Sequence, residues 1–367
     1  MKLYAWGANS YGQLGLGHKC DAHLEPVEVN LSHCDLKPEN IVSISGGAGH
    51  SLILDQNGHV YCCGWNSKGQ LGISDESGKF EQIEIIKDRR MVQICCGWDF
   101  SAALSDNSKL FVWGNNAYTQ LGLSKSITCT GIPSMLQVSQ KLATGFTYVS
   151  CGLRHSALIT RDRSLLVAGT GTKGQLGLGD NFSDDNYLSL SKVPELQDIE
   201  SVACGQNHTI ALRSDGTVYA WGDNRYGQLG VDPAKPNSFV PIQVFRDESI
   251  ASVHSGWTHS AALTKNGRVL VWGRNSYGQL GCQKKQVSHK AELIPELEDI
   301  AQLSLGSEHN LAVTGDGRLF SWGWNEHGSC GNNNTDNVLK PTQIFANQKV
   351  KSAFACTGQS FAVVEID

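Results

Sequence analysis

The chain has 367 residues, a formal net charge of −5 and basic residues scattered along its length. With no basic patch or arm to neutralise phosphates, nucleic-acid binding is not expected. No run of 18 apolar residues occurs and no apolar stretch opens the chain, so neither membrane insertion nor a secretory signal is expected.

From the N-terminus, residues 5–15 read AWGANSYGQLG, and the chain repeats this text. Counting it, there are seven copies, anchored at Gly7, Gly64, Gly114, Gly169, Gly222, Gly273 and Gly323. The intervals are 57, 50, 55, 53, 51 and 50 residues. A period near 50 marks an array of supersecondary units and overrides any count of domains from length.

A second landmark stands about 14 residues before each Trp-Gly. It reads Gly-x-x-His and begins at Gly47, Gly152, Gly205, Gly256 and Gly306. Phe100 replaces the histidine after Gly97, and the last copy reads Cys356-Thr357-Gly358-Gln359. Between the landmarks lie Asn-Gly or Asp-Gly turns at Gly58, Gly216, Gly267 and Gly317. Flanked by apolar runs, these predict hairpins, since glycine accepts the positive φ of a tight turn. Paired strands are expected at 51–54 with 59–63, and at 261–263 with 268–272. A further strand precedes each Gly-x-x-His, at 41–45, 92–96, 201–204 and 251–255. A fourth follows the Gly-Gln-Leu-Gly turn, at 26–29 or 240–245. Four antiparallel strands per repeat predict an all-β, seven-bladed propeller spanning residues 1–367 as one domain.

The first Trp-Gly has no Gly-x-x-His before it, and the last Gly-x-x-His copy has no Trp-Gly after it. Strands near 350–354 and 360–366 are therefore expected to pair with residues 3–6. They would complete a seventh blade from about 1–15 plus 340–367 and leave the ring without an open edge. Trp6 is expected to be buried there.

Twelve cysteines without a CxxC pair argue for a reducing compartment and against a zinc site. Cys96, Cys151 and Cys204 fit small core positions near the axis. The repeated histidines, one per blade, fit buried imidazoles bonded to backbone within the blade. Gly169-Thr170-Gly171-Thr172-Lys173-Gly174 matches a dinucleotide-loop pattern, but no helical periodicity follows it to hold an anion. No nucleophile dyad, carboxylate pair or metal set is visible, so no catalytic residue, metal or cofactor is expected.

The double landmark resembles the regulator of chromosome condensation repeat family, whose members form seven-bladed propellers. The resemblance covers essentially the whole chain. Residues 5–19, 96–100, 255–259, 306–311 and 321–328 are similar to a branch of guanine nucleotide exchange factors acting in secretion. That likeness implies a cytosolic and nuclear protein that contacts an exocyst subunit and tunes secretion. Two readings stay open: an adaptor without exchange activity, and an exchange factor for a small GTPase. A monomer is expected.

Candidate partner-binding residues are those at which the copies disagree. They are Trp98, Asp99, Arg154, Trp257, Thr258, Ser307 and Glu308 in the Gly-x-x-His loops, with Trp324 and Glu326 in the last Trp-Gly turn. In the family's exchange factor for Ran, acidic residues of these loops touch the GTPase, and the matching positions here hold Asp99 and Glu308. The Ran factor's wedge has no counterpart, since the glutamine position stands six residues after the Trp-Gly glycine in every copy. The longer spacers 18–40 and 125–149 are further loop candidates for a partner. Photoreceptors of the family cluster tryptophans from adjacent blades. Trp98 and Trp257 lie three blades apart and are expected to stay separate.

Overall fold

A computed structural model describes residues 1–140, 142–179, 190–282 and 286–366. Among these, 28 strands form seven four-stranded antiparallel sheets. Each sheet is one blade of a propeller, and its chain order runs from the channel outward in six of the seven. The expected strands are present with ends shifted by a residue or two, for example Ile41–Gly46, His50–Asp55, Val60–Gly64 and Ser77–Gln82 in the first complete blade. Its hairpin uses one left-handed glycine, Gly58 at φ +87°, while Asp55 accepts the N–H of Asn57 and of His59.

The burial patterns explain the sequence. Six of the seven second strands, such as His50–Asp55 and His259–Thr264, are buried at every position, and His208–Arg213 is buried at all but Arg213. They are covered by a neighbouring blade on each face and so read as continuous apolar runs. The innermost strands are only partly buried, as in Ile250–Ser255, where Ile250 and Val253 are buried and the other four positions are not, because one face meets the channel. Seven apolar clusters fill the seven blade interfaces. The core is thus distributed around the ring.

The N-terminal strand closes the ring as expected. Lys2–Ala8 pairs with Gln359–Val364, which pairs with Val350–Ala355. Trp6 is fully buried and donates its indole N–H to Ser329 O at 2.9 Å. The expected extent of this blade needs correction. Its fourth strand is Ala22–Glu28, whereas Val338–Ile344 belongs to the preceding blade. The outer strand follows the Gly-Gln-Leu-Gly turn and stays with the Trp-Gly strand that precedes it. Asp367 and Lys141, included in the expected closing blade and spacer, lie outside the described residues.

No helix among the described residues is long and apolar enough to cross a membrane. The turn after Leu165–Gly169 leads into no helix among the described residues, so the glycine-rich match there has no helix N-terminus to offer an anion.

Candidate functional site

The repeated histidines build joints between blades. His50 Nε2 lies 3.0 Å from Ser101 Oγ of the next blade. Ser101 Oγ donates to Gln70 O at 2.8 Å, and Trp113 Nε1 donates to the same carbonyl at 2.8 Å. A hydroxyl has one proton, and here it goes to the carbonyl, so the imidazole donates through Nε2–H. The relay recurs as His155–Thr209–Gln175–Trp221, His208–Ser260–Gln228–Trp272, His259–Asn310–Gln279–Trp322 and His309–Ser360–Ser329–Trp6. The expected partner within the blade is therefore corrected to a side chain one blade on, about 51 to 54 residues away in sequence. Nδ1 of all five histidines is buried without a hydrogen-bond partner, although Glu308 Oε2 lies 3.7 Å from His259 Nδ1. Burial holds His50, His208 and His309 down at about 3 and His155 at about 4.

Two joints are incomplete. Phe100 and Ala168 occupy the histidine and indole positions between the second and third blades, where Ser156 Oγ alone reaches Gln120 O. At the closing joint Gln359 Nε2 contacts Ser51 Oγ at 3.3 Å, and Cys63 stands in the indole position.

Directly above this layer the Gly-x-x-His loops form a collar around the channel mouth. Backbone N–H groups of Ala48, Leu153, Gln206, Trp257 and Ser307 donate to carbonyls of the next blade's loop. In all seven blades the residue after Trp-Gly donates to the third residue of Gly-x-x-His, as Trp324 does to Glu308 O at 2.8 Å. Both sets of loops therefore share one face. The channel below has a volume of about 280 Å³ and is lined by the seven innermost strands, including Cys96, Cys151 and Cys204 at their expected axial places. Burial pushes the Cys204 thiol up to about 12, which leaves it an inert packing group.

The collar alternates. Its second position points to the channel mouth: Trp98, Leu153, Trp257, Ser307 and Thr357 all line it. Trp98 and Trp257 meet there, with ring centroids 5.4 Å apart at 42°. The expectation that three intervening blades keep them separate is overturned. The innermost strands converge, so indoles from opposite sides of the ring span the mouth.

The third position turns into the blade body at Asp99, Thr258 and Glu308, and Ser307 is buried at the mouth, which corrects the expected exposure of four candidates. Asp99 is buried and accepts the Asn115 amide at 2.7 Å, while desolvation raises its pKa. Glu308 is also buried and accepts Thr258 Oγ1 and Gln279 Nε2, each at 2.6 Å. Thr258 is buried by that bond, and Ser307 by its bond to Thr357 O. Neither carboxylate faces an approaching partner. Arg154 does: it is exposed, with its guanidinium 4.5 Å from the Tyr118 ring centre. Trp324 is half-buried against His327, and Glu326 is exposed.

The structure adds residues that the sequence reading passed over. Trp65 stacks on Tyr11 of the preceding blade at 5.0 Å, and Arg274 lies 4.8 Å from the ring centre of Tyr226. With Arg154 on Tyr118, three neighbouring-blade stacks decorate the same face. Their signal was present: the residue after Trp-Gly also changes from copy to copy, as Ala8, Trp65, Asn115, Thr170, Asp223, Arg274 and Trp324. The fold also assembles His18, Cys20 and His23, against the expectation of no metal-ligand set.

Among curated proteins, the chain is 35% identical over 296 residues to the secretion-regulating guanine nucleotide exchange factor of Mus musculus, covering 76% of this chain and 61% of that protein. It is 32% identical over 289 residues to the ultraviolet-B receptor UVR8 of Arabidopsis thaliana, covering 77% and 62%. The chain thus spans about three fifths of the length of these relatives. Among solved structures, Prp20p of Saccharomyces cerevisiae superposes with a TM-score of 0.88 at 22% identity, covering 98% of this chain and 90% of that one. Human WBSCR16 superposes with a TM-score of 0.85 at 23% identity, covering 100% of both. These two likenesses concern the fold. The RCC1-like domain profile matches residues 2–364, so the chain belongs to the RCC1-like domain family and is related to guanine nucleotide exchange factors.

Proposed function

We propose that the chain is a protein-interaction propeller that regulates a small GTPase, and that the partner docks on the collar face. The observation that carries this reading is the Trp98–Trp257 pair at the channel mouth, ringed by Arg154–Tyr118, Trp65–Tyr11 and Arg274–Tyr226. Rigid aromatics with arginine supply contact area at low entropic cost, as in the anchors of known interfaces. The relatives add support: one is named a guanine nucleotide exchange factor, and Prp20p is described with binding properties toward Gsp1p.

Exchange needs no proton-transfer group. It requires tighter binding to the nucleotide-free GTPase than to the loaded one. Asp99 and Glu308 brace the collar in this reading, and the half-buried aromatic side chains, with Arg154 and Arg274, make the contact. The regulated process is secretion, in the cytosol and nucleus, and an exocyst subunit is the second partner to test. The chain acts as a monomer. The test is release of labelled GDP from a panel of small GTPases. Accelerated release from one of them is expected. Spontaneous rates across the whole panel would remove exchange and leave an adaptor.

A further inference from the structure

The connection between the first two strands, Lys2–Ala8 and Ala22–Glu28, carries His18-Lys19-Cys20-Asp21-Ala22-His23. One donor atom from each of His18, Cys20 and His23 lies within 4.8 Å of the other two. Among the described residues this is the one group of three or more His, Cys, Asp or Glu side chains so disposed. The two Nε2 atoms are 3.1 Å apart. Ligand nitrogens of a tetrahedral zinc ion, each bound at ~2.0–2.1 Å, are separated by roughly 3.3 Å, so the imidazoles already stand at nearly that spacing.

The loop is fixed from below. Asn9 is fully buried, and its amide donates to His18 O at 3.0 Å and to Cys20 Sγ at 3.4 Å. Its backbone carbonyl accepts the Cys20 N–H at 3.3 Å. The same asparagine holds the corresponding loop at other blades, as Asn66 holds Ile73 O and Asn275 holds Cys282 O and Sγ, but only beside Cys20 do two imidazoles join the sulfur among the described residues. His23 sits in register opposite Gly7, within the ladder of the closing blade. Imidazole nitrogen with cysteine sulfur suits a borderline-soft cation. All three ligands are at least partly accessible, which provides an entry path.

We propose that His18, Cys20 and His23 bind one zinc-class divalent cation, with a fourth position left to water, and that the ion clips the loop of the ring-closing blade. The site would tie the outer strand, which packs beside the turn at Gly328, to the buried Asn9.

The test is titration of the intact protein with Zn2+ alone in competition with a chromophoric chelator, beside Cys20→Ser, His18→Gln, His23→Gln and Cys129→Ser. Cys129 is an exposed thiol outside the cluster. One equivalent is expected in the wild type and in Cys129→Ser. Each ligand substitution should weaken it about 100-fold or more, since even outer-shell changes cost 10–100-fold. Cobalt substitution should show thiolate charge-transfer and four-coordinate ligand-field bands that vanish in Cys20→Ser, and the melting midpoint should rise with Zn2+ only where the triad is intact. His18 is exposed, so its substitution leaves the fold in place. Uptake unchanged by the three substitutions, or no saturable uptake, would reduce the cluster to a hydrogen bond between two histidines and overturn the proposal. Selective uptake of Cu+ without Zn2+ would overturn the choice of metal.

Discussion

Two layers of the propeller lie one residue apart and behave oppositely. The relay layer, begun by the histidine of Gly-x-x-His, is buried and nearly identical in five of seven joints. The collar layer, made by the two residues before it, differs in every blade. Relay groups are bonded across blade interfaces and leave little room for change. Collar side chains divide again, into a second position facing the channel mouth and a third that folds into the blade at Asp99, Thr258 and Glu308 but reaches solvent at Arg154. Disagreement between copies therefore marks two things: docking residues such as Trp257, and local bracing such as Glu308 with Gln279.

If the relay layer carries stability, damage there should be severe. Deleting residues 1–7 removes the strand that closes the ring and should abolish cooperative folding. A truncated chain that melts like the intact one would refute the closure. Next in size, Trp272→Ala should cost ~3–5 kcal/mol, read as a shift in the urea midpoint, because removing a fully buried indole leaves a cavity and takes one of two donors from the Gln228 carbonyl.

The relay also sets a pH dependence. His50, His208 and His309 have folded values of about 3, below the ordinary 6.5. The unfolded chain therefore binds protons that the folded chain refuses between pH 6.5 and about 3. This stability is complete above pH 6.5 and is lost as the pH falls. Gln359 already stands at a histidine position, so His208→Gln should retain a fold at neutral pH and lose less stability between pH 7 and pH 5 than the wild type. An equal or greater acid loss would show that the histidines are not the titrating groups.

The collar should respond in the opposite way. Trp98→Ala with Trp257→Ala should cost about 1 kcal/mol each, since both are half-exposed, yet should remove most partner binding. Arg154→Ala should stay within ~0.5 kcal/mol of wild-type stability and weaken the partner selectively. Large destabilisation by either change would merge the two layers into one.

The sequence made the blade plan legible because glycine punctuation and strand alternation are local signals that recur at a fixed period. The relays were hidden because each joins residues about 50 apart, and serine, threonine or asparagine after the histidine reads merely as a small polar residue. The meeting of Trp98 with Trp257 was hidden for a geometric reason. Sequence periodicity orders blades around a ring but does not say how narrow the ring is. The buried state of Asp99 and Glu308 depends on Asn115 and Gln279, which belong to other landmarks of the repeat. The pattern His-x-Cys-x-x-His is inconspicuous because it holds a single cysteine, whereas paired cysteines at fixed spacing are the usual local mark of a zinc site.

The most direct test of the account is amide hydrogen exchange on the propeller with and without the small GTPase it binds most tightly. Protection is predicted in the Gly-x-x-His loops at 97–100, 152–155 and 256–259 and in the Trp-Gly turns at 64–68 and 273–277. Protection confined to the opposite-face hairpin turns at 55–58, 214–216 and 265–267 would contradict the assignment of the collar as the docking face.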